Sequence, residues 1–147
     1  MILGIDVSTS ITGFAIVDDK GKIILSEACD TRKHKNFFFK GLAIKAKILD
    51  IVEVYGEKID HIYIEQPFTF FSSGGSSGKT MAALQRFNGV VSWMAYECFE
   101  IEPRYVGATQ ARKLVGIKVP RGQKAKKVVM EHLLATEPDF TIELTHK

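Results

Sequence analysis

Two acidic residues stand where apolar strands leave little room for charge. Asp6 closes the run Ile2-Leu-Gly-Ile-Asp6 near the start of the chain, and Glu65 closes Ile62-Tyr-Ile-Glu65 well downstream. Each run is β-branched and apolar and reads as a buried strand. An ionised carboxylate there is costly unless it is paired, hydrogen-bonded or bound to a cation. Two of them, on strands able to lie side by side, suggest a divalent metal site. That requirement restricts which strands can be neighbours.

Residues 2–8 read as the first strand, 12–18 as the second and 22–29 as the third, with Asp18-Asp-Lys-Gly21 a tight turn between the last two. These three form an antiparallel meander. Phe37 to Tyr55 carries Ile44, Ile48, Ile51, Val52 and Tyr55 at helical spacing, and Gly56 is a natural stop. A fourth strand over 59–66 is closed by Pro67, and a Phe/Ser/Gly loop over 68–78 follows. A helix from about Thr80 to Cys98, a strand over 101–106, and helices over 109–115 and 123–134 complete the order. No repeat or linker interrupts it, so a single α/β domain over 1–147 is expected. Strand one would lie beside strand four, bringing Asp6 and Glu65 together at one end of the sheet.

The formal net charge of +3 hides a segregation. Arg32, Lys33, Lys35, Lys40, Lys45 and Lys47 lie between Asp30 and Asp50 with no acid among them. Arg104, Arg112, Lys113, Lys118, Arg121, Lys124, Lys126 and Lys127 form a second acid-free block between Glu102 and Glu131. The rest of the chain holds 6 basic residues against 17 acidic ones. Two such blocks in one domain point to a polyanion, nucleic acid above all.

No apolar run has the roughly 18 residues needed to cross a bilayer. The first strand begins at Ile2, which leaves no room for a cleavable signal, and Cys29 and Cys98 read as buried thiols. A cytoplasmic protein without a membrane or small-molecule partner is expected. His34, His61, His132 and His146 are scattered, so no zinc cluster is indicated.

Gly4-Ile-Asp6, then a small polar turn and Thr12-Gly-Phe14, resembles the first signature of the RNase H-like superfamily, most closely its RuvC-type Holliday-junction resolvases. Ile64-Glu-Gln-Pro-Phe68 matches that family's second signature. The likeness continues through the apolar helix Gln85–Ala95, Val115-Gly-Ile117 and a basic helix from Lys124 to Leu134, and so covers most of the chain in order. It implies a mixed five-stranded sheet, three antiparallel strands plus two parallel, with helices on both faces. It also implies a metal-dependent endonuclease that hydrolyses a phosphodiester in four-way junctions or other branched DNA. Asp6 and Glu65 would be catalytic and would hold Mg2+ or Mn2+, two ions per site, with Lys118, Arg121, Lys124, Lys126 and Lys127 on the DNA backbone. Phe68 would be the wedge at the branch point or, on its residue type alone, equally a core ring, and a homodimer would nick one strand with each subunit.

The resemblance breaks at the C-terminus. The family carries further carboxylates as Asp-x-x-Asp on a helix, whereas Phe140, Ile142 and Leu144 alternate with Thr141, Glu143 and Thr145 at strand period. The expectation is a chain lacking its last helix and therefore a poor nuclease, with Asp139 the remaining candidate ligand. Ser73-Gly-Gly-Ser-Ser-Gly-Lys79-Thr80 nearly completes a phosphate loop. It lies too far from strand four and lacks a partner acidic strand, so Lys79 is expected at most to touch a DNA phosphate. The other functions to weigh are a sugar-kinase or actin-like ATPase, which needs two such domains, and a DNA-binding RNase H-like module without catalysis.

Overall fold

The structure is a computed structural model and describes residues 1–67 and 78–142. Five strands form one mixed sheet: β1 (Ile2–Asp6), β2 (Ile11–Val17), β3 (Ile23–Asp30), β4 (His61–Glu65) and β5 (Arg104–Val106). Their spatial order is β3-β2-β1-β4-β5, with β1–β2 and β2–β3 antiparallel and β1–β4 and β4–β5 parallel. This is the expected sheet, with β1 beside β4. The helices are α1 (Phe37–Tyr55), α2 (Gly78–Phe99), α3 (Ala108–Leu114) and α4 (Ala125–Thr136).

The sheet has one buried and one open face. Leu3 and Ile5 of β1, Phe14 and Ile16 of β2, and Ile62 and Ile64 of β4 are buried. Opposite them Ile44, Ile48 and Ile51 of α1 and Phe87, Val91 and Ala95 of α2 complete the same core cluster. The two crossover helices pack together over this face, and a Cβ at Gly41 would stand only 3.5 Å from the Met94 methyl group. Because side chains alternate along a strand, Gly4 and Asp6, Gly13 and Ala15, and Tyr63 and Glu65 are left on the opposite face. That face is bordered near β5 by α3, whose Ala108 and Ala111 line a cleft with Gly4 and Tyr63.

Local chemistry sets the element ends. The turn after β2 closes with Asp18 Oδ1 accepting from Lys20 N and Lys22 N, both at 2.9 Å, and with Gly21 at φ +80°. Asn36 caps α1 by accepting from Phe38 N and Phe39 N. Gly56 does not stop α1 in the left-handed conformation that such a glycine suggests. It stays right-handed, at φ −52°, and leads into a single 3₁₀ turn over Gly56–Lys58. The fourth strand therefore starts at His61 rather than 59, and the fifth shortens to Arg104–Val106.

No regular structure is assigned to 140–142, where an alternating strand pattern begins, and its remainder, Glu143 included, lies outside the described residues. Among the described residues no helix is long and apolar enough to cross a membrane. Cys29 and Cys98 are free and half-buried, and burial raises both thiols.

Phe87 carries the junction of both crossover helices with the sheet. Phe87→Ala is expected to cost about 3–5 kcal/mol in urea unfolding, whereas Trp93→Ala, exposed on the same helix, stays within about 0.5 kcal/mol.

Candidate active site

The β1–β4 ladder places Ile5 opposite Ile64, so the next residue of each strand, Asp6 and Glu65, stands at the same end of the sheet on the open face. Asp6 pairs across to Gly13 of β2, and Glu65 to Val106 of β5. A Cβ at Gly13 would lie 3.9 Å from the Asp6 Cβ, so the missing side chain leaves that flank of Asp6 uncovered. Gly4, Gly13 and Ala15 make a low floor, with Tyr63 and Ala111 beside it, in a cleft of about 370 Å³ that contains both carboxylates.

The two carboxyl groups interact directly. Burial, then the negative charge of Asp6, then a hydrogen bond with Asp6 push the Glu65 carboxyl up to about 7, against the opposing pull of Arg112 and Lys126. Glu65 is thus a neutral acid sharing its proton with Asp6 over the lower part of the physiological range. Among the described residues no ion pair within 4.0 Å involves Glu65, so it is not the partner of a surface lysine. Nor does Asp6 cap the turn that follows. The Ser8 amide donates instead to Thr12 Oγ1 at 3.3 Å, and buried Thr12 returns a bond to Ser8 O at 3.0 Å.

The arrangement fits one divalent cation. Two carboxyl groups stand side by side, and both open onto a cleft with room for water. It does not by itself supply a second ion. Among the described residues no group of three or more Asp, Glu, His or Cys could hold a metal. Asp139 is exposed in the turn after α4 and is not gathered with Asp6 and Glu65, and neither is His132.

The basic candidates are on the surface: Lys118, Arg121, Lys124, Lys126 and Lys127 are all exposed. Lys126 is close enough to act on Glu65. Lys127 pairs with Glu131 at 3.8 Å. Lys79 is exposed in the first turn of α2, and Phe68 lies outside the described residues, as does most of the loop that resembles a phosphate loop.

Two further residues belong to the site. Arg112 on α3 is felt at Glu65 and lines a second cleft of about 310 Å³ with Lys118. Asn88 on α2 is buried and donates from Nδ2 to the Glu65 carbonyl at 3.1 Å, while Ser92 Oγ donates to the Asn88 carbonyl at 2.7 Å. Asn88 therefore fixes the strand end that carries Glu65. Its signal was a polar residue between Phe87 and Val91 on a helix face that is otherwise apolar.

No family model matches the chain, and no curated protein does. Solved structures do. Thermus thermophilus RuvC in complex with a Holliday-junction substrate superposes with a TM-score of 0.63 at 15% identity, covering 76% of this chain and 67% of that one. A second Thermus thermophilus RuvC structure gives 0.60 at 18% identity, covering 91% and 76%. The fold is RuvC-type RNase H-like. In this fold the two carboxylates occupy adjacent strand ends, on the face opposite the crossover helices.

Two outcomes follow from this geometry. Asn88→Ala leaves the Glu65 carbonyl without its donor and is expected to lose about 1–3 kcal/mol in urea unfolding. The Glu65 proton makes stability pH-dependent. Its pKa is raised from 4.5 to about 7 in the folded protein, so the stabilisation is fully present below pH 4.5 and is lost as pH rises through 7. In metal-free protein Glu65→Gln should therefore raise the melting temperature at pH 8 and leave it nearly unchanged at pH 4. An equal shift at both values would show that the proton is not held there.

Proposed function

We propose that this protein is a divalent-metal-dependent endonuclease acting on branched DNA, including four-way junctions. The observation that carries the reading is the Asp6–Glu65 pair, which stands at adjacent strand ends in an open cleft beside cationic α3 and α4. Like-charged neighbours at a strand end are unfavourable in a merely structural role, and a bound cation removes the repulsion. When bound, Mg2+ or Mn2+ supplies charge neutralisation at the scissile phosphate and activation of the attacking water. Asp6 and Glu65 would hold the ion, both as carboxylates. Arg112, Lys118, Lys126 and their neighbours Arg121, Lys124 and Lys127 hold backbone phosphates on either side. The structural neighbour solved with a Holliday-junction substrate supports branched DNA as the ligand. Action as a homodimer, one nick per subunit, belongs to the same proposal.

The donor set supports one ion from the described residues, and a second needs a carboxylate from elsewhere. Asp139 is the candidate if the turn after α4 rearranges. The non-catalytic DNA-binding alternative makes the opposite forecast for metal.

Isothermal titration of Mn2+ tests the centre. Wild type should bind, Asp6→Asn and Glu65→Gln should each weaken binding at least tenfold, and affinity should rise from pH 5 to pH 8 as the Glu65 proton is lost. On a four-way junction with Mg2+, both variants should abolish nicking while retaining DNA binding. Charge reversal at Lys124, Lys126 and Lys127 should weaken binding to all DNA alike and flatten its salt dependence. Absence of Mn2+ affinity in wild type would leave the DNA-binding module as the better reading.

A further inference from the structure

The cleft and its cationic helices use only one of the two acid-free basic blocks. The other, Arg32 to Lys47, begins in the segment that joins β3 to α1. Arg32 folds back onto Asp30 at 2.6 Å, while Lys33 and Lys35 are exposed and make no ion pair among the described residues. Immediately after them, Phe38 and Phe39 are 75% and 57% exposed. Adjacent phenylalanines rarely face water together without a partner.

These rings are held in place. The Phe38 ring stands edge-on to Phe37, with centroids 5.6 Å apart, and Phe37 in turn stands edge-on to the buried Phe87 at 5.4 Å. Asn36 Oδ1 accepts from both Phe38 N and Phe39 N, at 2.8 and 3.2 Å, which fixes the first turn. Lys40 Nζ then donates to Thr9 O at 2.6 Å and Thr31 O at 3.1 Å. Buried Thr31 donates from Oγ1 to Ser10 O at 3.1 Å and from its amide to the same oxygen at 2.9 Å. The platform is thereby tied to the turn that directly follows Asp6. At no more than about 3.6 Å per residue, Thr9 stays within roughly 11 Å of Asp6.

We propose that Phe38 and Phe39 form a stacking platform for unpaired bases, with Lys33 and Lys35 on the flanking phosphates, so that a strand leaving the cleft is gripped there. This rests on the nuclease reading and extends it to a second contact with the substrate. Exposed aromatics interleaved with cations and free of acids suit a single strand. A protein partner is less well matched, because lysine is depleted from such interfaces.

The test is fluorescence anisotropy without divalent metal, on a forked DNA and a blunt duplex of equal phosphate count. Replacing both rings (Phe38→Ala with Phe39→Ala) should lower fork affinity about ten- to a hundredfold and blunt-duplex affinity no more than about twofold. Phe38→Tyr with Phe39→Tyr should restore the fork preference. Lys33→Gln with Lys35→Gln should weaken fork binding more than blunt-duplex binding and flatten the salt dependence of the fork. Unchanged fork affinity in the alanine variant, or equal loss on both probes, overturns the proposal. So does a change in its sedimentation mass, which would assign the rings to a protein contact.

Because metal is absent, the two readings separate. Nicking of junctions with Mg2+ by a wild type whose rings prove irrelevant sinks the platform alone. A ring-dependent fork preference in a protein that never cleaves sinks the nuclease alone.

Discussion

Ile5 of β1 lies opposite Ile64 of β4, and a slip of one residue on either strand would turn its carboxylate into the core and its isoleucine into solvent. The parallel register between these strands is therefore the constraint on which the site depends. It is enforced from below. Leu3, Ile5, Ile62 and Ile64 interlock with α1 and α2, and only one alternation of side chains satisfies that packing. Acidic residues at the next position of both strands then have to meet. Packing on one face thus determines the electrostatics of the other, and Asn88 joins the two by reaching from the helical layer to the Glu65 carbonyl.

The carboxylates are not neutralised by the many cations nearby. Arg112 and Lys126 lower the Glu65 pKa, but burial and Asp6 outweigh them and leave it raised. An ammonium or guanidinium in contact would quench the pair and occupy the space a ligand needs. The cations stand back on α3 and α4 and leave the pair without an ion-pair partner among the described residues. The proposed chemistry needs that separation, because one group of charges must attract a cation and the other a polyanion.

Much of this was legible in the sequence. The apolar runs ending in Asp6 and Glu65 placed both strands, and the order of elements made them neighbours, because a meander followed by crossover helices admits few alternatives. The basic blocks were equally plain. Less legible were contacts made by a single polar atom across elements. Nothing local says that Lys40 reaches the Thr9 carbonyl, or that Thr12 rather than Asp6 satisfies the Ser8 amide, since those bonds exist only once the sheet has formed. Gly56 did mark the end of α1, but the geometry of that end was not legible. A glycine at a helix end permits a left-handed stop without requiring one, and here the chain tightens into a 3₁₀ turn before β4. Exposure was invisible as well: Phe37, Phe38 and Phe39 read alike as letters, yet only Phe37 packs against buried Phe87.

The donor chemistry narrows the choice of cation further than the fold does. Among the described residues the cleft offers carboxylate oxygens and no clustered histidine or cysteine. Oxygen donors alone favour hard cations that retain water, Mg2+ and Mn2+ above Zn2+. Two carboxylates are too few donors for such a cation, so on the proposed reading water and the substrate would have to supply the rest. Cation and DNA would then bind with mutual enhancement, because each supplies what the other lacks, and the linkage must be equal in both directions. A protein with a self-sufficient metal site would show no such coupling. On the proposed reading, the sparse donor set of this cleft would make the substrate part of its own metal centre.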